Sequence, residues 1–454
     1  MRDPGSFRDP SGFIFYENNK VFRVINNSYK TNFELFINSG LFGVLQKENK
    51  IINHTILSSK KKNIFPNQYK ILEIPKINVI TYPYEWCFSQ LKAAALLTLE
   101  IQKISLKYDM GLKDATPYNI QFIKNKPVFI DTLSFEVFKD NYVWKPYKQF
   151  CEMFLGPLCL MAFKDPRLNK LLIGSINGIS MDLINKLLPF KSKLNPSVFF
   201  HLVLQNKISS SKSQSSTSRK ISKNQHLSII TQLMSFIKGL SLNKYKTEWG
   251  EYYKETINEK KEYLIHKEKV IENWIKKINS NVIWDIGAND GVFSKIAAKK
   301  NNSIVYSLDV DWKCVENNFK SNIEENNDNV YPLLIDLVNP SPSIGWLNKE
   351  RKSIFERLES PDLIMSLALI HHIINLNISI YEFVNLLNKS KKYVILEYVP
   401  IDDPKCKEIF SSRGDDFKYI SEKDLVKLLN SKFKIINSIT LNETKRKLFL
   451  IKKN

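Results

Sequence analysis

The residues best suited to chemistry are Asp285-Ile286-Gly287-Ala288-Asn289-Asp290-Gly291, between an apolar run and a helix-forming one. Gly287 has no Cβ, so a ligand can approach the backbone, and Gly291 lets a helix start pack near a strand. A dinucleotide site wants GxGxxG, whereas the spacing here is D-x-G-x-N-x-G with an acid at its head. That acid disfavours a pyrophosphate and suits a ligand with a cationic centre. Asp309 ends the next strand, 18 residues after Gly291, close to the spacing at which such an acid hydrogen-bonds ribose hydroxyls. Asp336 ends the third, in Leu333-Leu334-Ile335-Asp336-Leu337. Three successive strands each ending in Asp place a row of acceptors along one sheet edge, which reads as a nucleoside site. The fourth strand runs into His371-His372. There a neutral imidazole takes a proton from a hydroxyl, or one ring packs while the other lines a pocket. Glu397, inside the fifth strand, is a further candidate for the proton-accepting role.

These residues need a parallel sheet to bring them together. Strands are expected at 281–286, 303–309, 330–335, 362–368 and 393–398, and helices at 290–300, 312–325, 375–388 and 421–432. Residues 433–441 and 447–451 read as a terminal hairpin. Near-continuous apolar strands separated by helices make a doubly wound α/β sheet covered on both faces. Its ligands lie beyond the carboxyl ends of the strands.

With its glycine loop and three acids, 281–454 resembles a class I, Rossmann-like methyltransferase that uses S-adenosylmethionine (SAM). The resemblance implies a seven-stranded sheet with an antiparallel last strand. It also implies that Asp285, Gly287 and Gly291 surround the methionine part of SAM, with Asn289 where glycine is more usual. Asp309 would hold the ribose hydroxyls and Asp336 the adenine amino group, with His371 and His372 as the catalytic candidates. Trp249, Tyr252 and Tyr253 either close over the donor or pack as core aromatics. Enzymes that methylate base amines resemble one another in an Asn/Asp-Pro-Pro-aromatic turn after the fourth strand, and here Asn339-Pro340-Ser341-Pro342 follows the third. No Pro-Cys pair marks a cytosine-C5 enzyme. The expected acceptor is a hydroxyl of a small molecule or glycan.

The N-terminal half, 1–206, carries a second constellation. Asp114 and Asn119 in Lys113-Asp114-Ala115-Thr116-Pro117-Tyr118-Asn119 precede strands at 120–123 and 128–130, and Asp131 follows them. A hairpin brings Asn119 and Asp131 together, the arrangement with which a kinase holds magnesium. The half resembles an α+β kinase-like domain, yet Leu112 stands where histidine is usual, no Phe-Gly follows Asp131, and Arg23 replaces a clear lysine. These departures indicate a degenerate module that recognises or recruits; the alternative is a bifunctional enzyme that also transfers phosphate from ATP. Tyr82-Pro83-Tyr84-Glu85-Trp86, LKDATPYN and TEWGEYY together make the whole chain resemble bacterial proteins related to host-specific nodulation methyltransferases.

The chain has 454 residues and a formal net charge of +21, enough length for two or three domains. From 281 onward 25 Lys and Arg face 23 Asp and Glu, so +19 of the charge lies in 1–280. Part of it sits in KISSSKSQSSTSRKISKNQ, a flexible linker over 207–225, followed by a helical connector or lid over 226–280. The excess reads as a solvated basic surface rather than a nucleic-acid groove. Five scattered cysteines form no CxxC pair, so no metal site is expected and a reducing, cytoplasmic compartment is. No run approaches the roughly 20 apolar residues of a membrane span, and no signal peptide is evident.

Overall fold

The computed structural model describes residues 2–57, 65–139, 144–210, 221–242, 247, 261–411, 413 and 419–454. The chain divides into two units, Met1–Lys244 with Pro340–Leu358, and Tyr245–Asn339 with Glu359–Asn454. The stretch expected as one domain, 281–454, is therefore interrupted. Pro340–Leu358 joins the first unit because Arg357 donates to Glu85, at 3.1 Å through one nitrogen, and Arg8 donates to Glu350 at 2.8 Å through two.

In the first unit β1 (Gly12–Glu17), β2 (Lys20–Asn26), β3 (Thr55–Ile56) and β4 (Gln68–Ile74) form an antiparallel sheet ordered β1-β2-β4-β3. Asn18 and Asn19, both at positive φ, make the tight turn between β1 and β2 that suits the right-handed twist of the strands. The helix Phe88–Ser105 buries Leu91, Ala95, Leu99 and Gln102. It is followed by β5 (Met110–Leu112), β6 (Ile120–Ile123), β7 (Lys126–Phe129) and β8 (Phe135–Val137). β5 pairs with β8, while β6 and β7 form the hairpin that carries Asn119 and Asp131 at its open end.

In the second unit β9 (Val282–Ile286), β10 (Ile304–Asp309), β11 (Val330–Leu334), β12 (Leu363–Ser366), β13 (Tyr393–Tyr398), β14 (Phe433–Thr440) and β15 (Lys447–Lys453) form one sheet. Among the described residues its order is β11-β10-β9-β12-β13-β15-β14. β9 to β13 run parallel, and β15 enters antiparallel between β13 and β14. Strand order thus reverses at β9, with β10 and β12 on opposite sides, and such a reversal opens a crevice above the carboxyl ends. The helix Lys261–Lys277 covers the core with Leu264, Ile271, Trp274 and Ile275, which pack with Ile283, Phe293, Val305 and Met365.

Several local expectations change. The fourth strand stops at Ser366, so His371 and His372 sit on a separate helix, Ile370–Asn375. The helix expected at 375–388 begins only at Ile380, because Asn377 adopts positive φ and Ser379 caps the new start. A helix at Pro404–Phe410 was not expected; Asp403 caps it and Pro404 occupies its first turn. Of the stretch 207–225, residues 207–210 end one helix and 223–225 open another under a Ser222–Gln225 capping box. Trp249, Tyr252 and Tyr253 lie outside the described residues. No helix among the described residues is long and apolar enough to cross a membrane.

Candidate active site

The loop after β9 is shaped by three residues in the left-handed region: Gly287 (φ +73°), Asn289 (φ +50°) and Gly291 (φ +75°). Asparagine tolerates this conformation better than other side chains, which explains how Asn289 stands in for a glycine. A Cβ on Gly291 would lie 2.4 Å from the Asn318 side chain, so no larger residue fits there. The Gly287 and Ala288 amides donate to the Leu308 carbonyl at 2.9 and 3.1 Å. Asp309 joins the two strand ends: one oxygen accepts from the Asn289 amide at 2.7 Å, the other from Asp311 at 2.8 Å. Each carboxylate oxygen has two lone pairs, so acceptor capacity remains for a ligand.

Above these strand ends is a cavity of about 260 Å3. Gly287, Asn289, Asp309 and Asp336 line it, with Leu308, Val310, Ile335 and Leu367 as apolar walls. Asp336 accepts from the Val338 amide at 2.9 Å. Asp285 and Gly291 do not line the cavity. Asp285 is buried below the loop, where it accepts from the Ser294 hydroxyl at 2.6 Å; the Ser294 oxygen in turn accepts from the Ser307 hydroxyl at 2.9 Å. Burial pushes the Asp285 carboxyl up to about 7, against the Ser294 hydrogen bond and the positive Lys267. Asp309 is pushed up to about 6 by the same cause, opposed by its backbone donors.

His371 and His372 line the opposite part of the cavity, with ring centroids 4.2 Å apart. His371 is 2% exposed, and its Nδ1 has no hydrogen-bond partner among the described residues. Burial pushes His371 down to about 2, aided by His372 and Arg446, and His372 down to about 4, aided by Lys405 and Arg446. Both imidazoles are neutral at physiological pH. Ala368, in the turn that leads to them, holds a positive φ of 50° that costs a non-glycine residue energy.

A buried ionic network completes the wall. Lys267 Nζ lies 2.6 Å from Glu397 Oε2, and the Tyr263 hydroxyl donates to Glu397 Oε1 at 2.7 Å. Arg446 donates to the Tyr263 oxygen at 3.1 Å and, through two nitrogens, to both Asp403 oxygens at 2.9 and 3.0 Å. Burial pushes the Glu397 carboxyl up, but Lys267 and Arg446 outweigh it and hold it below its ordinary value. Glu397 is thus an ion-pair partner rather than the proton acceptor expected of it. Lys267, Tyr263 and Arg446 line the cavity and were not anticipated. One signal was present: Lys267 falls in the buried stripe of its helix, among Tyr263, Leu264, Val270 and Ile271.

In the first unit, Asn119 and Asp131 meet through Ser134. The Asn119 amide donates to Ser134 Oγ at 3.0 Å, and Ser134 donates to Asp131 at 2.5 Å. Arg23, from β2, forms an ion pair with the other Asp131 oxygen and donates to the Ile130 carbonyl at 3.3 Å. Burial raises Asp131, yet Arg23, Ser134 and the Leu133 amide together hold it below its ordinary value. Asp114 forms no hydrogen bond or ion pair with this group among the described residues; burial and the negative Asp131 push it up.

No protein-family model matches the chain. It is 29% identical over 462 residues to nodulation protein NoeA of Rhizobium meliloti (strain 1021), spanning 100% of this chain and 96% of that one. Among solved structures it is similar to a SAM-dependent methyltransferase from Aquifex aeolicus, at 13% identity and a TM-score of 0.29, over 40% of this chain and 89% of that one. It is similar to the bifunctional kinase-methyltransferase WbdD at 18% identity and a TM-score of 0.28, over 43% of this chain and 39% of that one. The chain is therefore similar to a nodulation protein along its whole length, and to methyltransferases of known structure over about two fifths of it.

Proposed function

We propose that the second unit binds SAM and transfers its methyl group to a hydroxyl of a small molecule or glycan. The observation that carries this reading is the cavity at the strand-order reversal, with Gly287, Asp309 and Asp336 on one part of its wall and His371 and His372 on another. Those residues fit the cofactor. Gly287 presents backbone alone to the cavity, and a Cβ there would press on the Leu369 side chain at 3.1 Å. Asp309 has lone pairs for ribose hydroxyls, and Asp336 accepts from the adenine amino group. Asp285 and Gly291 act indirectly by shaping the loop. When bound, SAM supplies an electrophilic methyl on a sulfonium.

In-line displacement asks the protein mainly to position the acceptor. The neutral His371–His372 pair orients the acceptor hydroxyl by accepting its hydrogen bond. As the O–CH3 bond forms and the S–CH3 bond breaks, the hydroxyl proton leaves to solvent, because rings held near 2 and 4 accept its hydrogen bond but do not retain the proton. The Lys267–Glu397–Tyr263–Arg446 network holds the wall rigid while the acceptor enters.

The first unit reads as a kinase-like module that recognises rather than phosphorylates. What supports this is the Arg23 guanidinium on Asp131, the carboxylate such a fold would offer to magnesium. We place the protein in the cytoplasm, in keeping with five buried cysteines that form no disulfide among the described residues. Separate thermal-shift titrations with SAM and with magnesium-ATP test both readings. A rise with SAM alone agrees with them; a rise with magnesium-ATP overturns the second.

A further inference from the structure

The charge of the first unit is not absorbed by any site described above. Between Asp182 and Glu248 the sequence contains eleven Lys and Arg and no Asp or Glu. Within that acid-free stretch the described residues expose large apolar side chains that a soluble surface ordinarily hides. Phe190 is 76% exposed, Leu194 70%, Phe200 54% and Phe199 41%. Local geometry groups them in two neighbouring pairs along the chain. Phe190 and Leu194 are four residues apart across the Phe190–Lys193 helix and its cap, so they share a face. Phe199 and Phe200 touch edge to face, with centroids 5.7 Å apart. Asn195 caps the short helix between the two pairs by accepting from the Ser197 amide at 2.9 Å. Lys191 and Lys193 lie between Phe190 and Leu194 in sequence, and Lys186 one turn earlier carries the nearest acid, Asp182, at 2.7 Å.

From this patch we infer that residues 183–200 form a surface that docks peripherally on an anionic lipid bilayer. Exposed Phe and Leu with Lys191 and Lys193 beside them in sequence match an interface where aromatic and aliphatic groups enter the acyl boundary and cations meet lipid phosphates. A nucleic-acid strand would use the aromatics for stacking but has no use for Leu194. A protein partner with an acidic groove would not require so long a stretch without acids. The inference is independent of methyl transfer.

The test is co-sedimentation of the full chain with phosphatidylcholine vesicles and with vesicles containing about 30 mol % phosphatidylglycerol. Pelleting is expected with the anionic vesicles only, and a rise to about 1 M salt releases the protein, because screening shortens the reach of the lysines. Phe190→Ser with Leu194→Ser, and separately Lys191→Glu with Lys193→Glu, each weaken binding by about tenfold or more. Both pairs change exposed or half-buried side chains, so an unchanged melting temperature serves as the folding control. Three results overturn the inference: no pelleting with anionic vesicles, equal pelleting of wild type and both variants, or binding that single-stranded RNA abolishes at equal charge. Loss of a dimer in the serine variant without any vesicle binding by wild type also overturns it and assigns the patch to a second copy.

Discussion

The Lys267 ammonium and the Glu397 carboxylate meet at 2.6 Å, both nearly inaccessible to solvent, at the wall of the cavity. They come from elements 130 residues apart, a pre-sheet helix and the fifth strand, so the pair ties the helix to the sheet. Removing one partner strands a buried charge. Lys267→Ala is expected to destabilise the second unit by about 3 kcal/mol or more, read as a lower urea midpoint. Lys267→Met with Glu397→Gln recovers much of that loss. A single variant as stable as wild type contradicts the buried pair.

Asp285 gives a stability prediction with a definite sign. Its folded value is raised to about 7 from an ordinary 3.8. The stabilisation from holding its proton is full below about pH 4 and is lost as pH rises through 7. Asp285→Asn removes that loss. The variant is expected to be more stable than wild type at pH 8, by on the order of 2–4 kcal/mol, and no more stable at pH 4. Chemical denaturation at the two pH values reads this directly.

Histidines give the opposite sign. His54, His201, His226 and His372 are held near 4 by burial, and His371 near 2. Their unfolded values near 6.5 are higher, so stability is full above pH 6.5 and falls as pH drops towards 4. Thermal melting should decline over that window. For the reaction, no acid limb attributable to the histidine pair should appear in the rate above about pH 5. A limb near 6.5 would show that one of the two rings titrates as an ordinary base.

Arg23 neutralises Asp131, so Arg23→Ala leaves a buried carboxylate without its cation. A loss of about 3 kcal/mol is expected in the first unit, largely restored by adding Asp131→Asn. Wild type should show no thermal shift with magnesium-ATP. A shift in wild type that disappears in Asp131→Ala would make Asp131 a metal ligand.

How much of this was legible in sequence follows distance along the chain. Gly287, Asp309 and Asp336 were readable because each sits at a strand end, where a local pattern of apolar run, acid and helix start marks the loop. Lys267, Tyr263 and Arg446 reach the same cavity from outside that pattern; only the apolar spacing around Lys267 hinted that a lysine was buried. The histidine helix was not foreseen and the fourth strand was drawn too long, because Ser366-Leu367-Ala368 is as apolar as the strand before it and nothing local announces the positive φ at Ala368. The excursion of 340–358 into the first unit was invisible, since it depends on Arg357 finding Glu85. Asp285 was read as a ligand residue when its partner is Ser294, nine positions away on the following helix.

Calorimetric titration of SAM into wild type, Asp309→Ala and Asp336→Ala tests for a SAM site at the carboxyl ends of β9, β10 and β11. Wild type should bind, Asp309→Ala should lose about 2 kcal/mol or more, roughly thirtyfold in affinity, and Asp336→Ala a smaller amount. Wild-type heats indistinguishable from dilution, or an Asp309→Ala affinity equal to wild type, would contradict it.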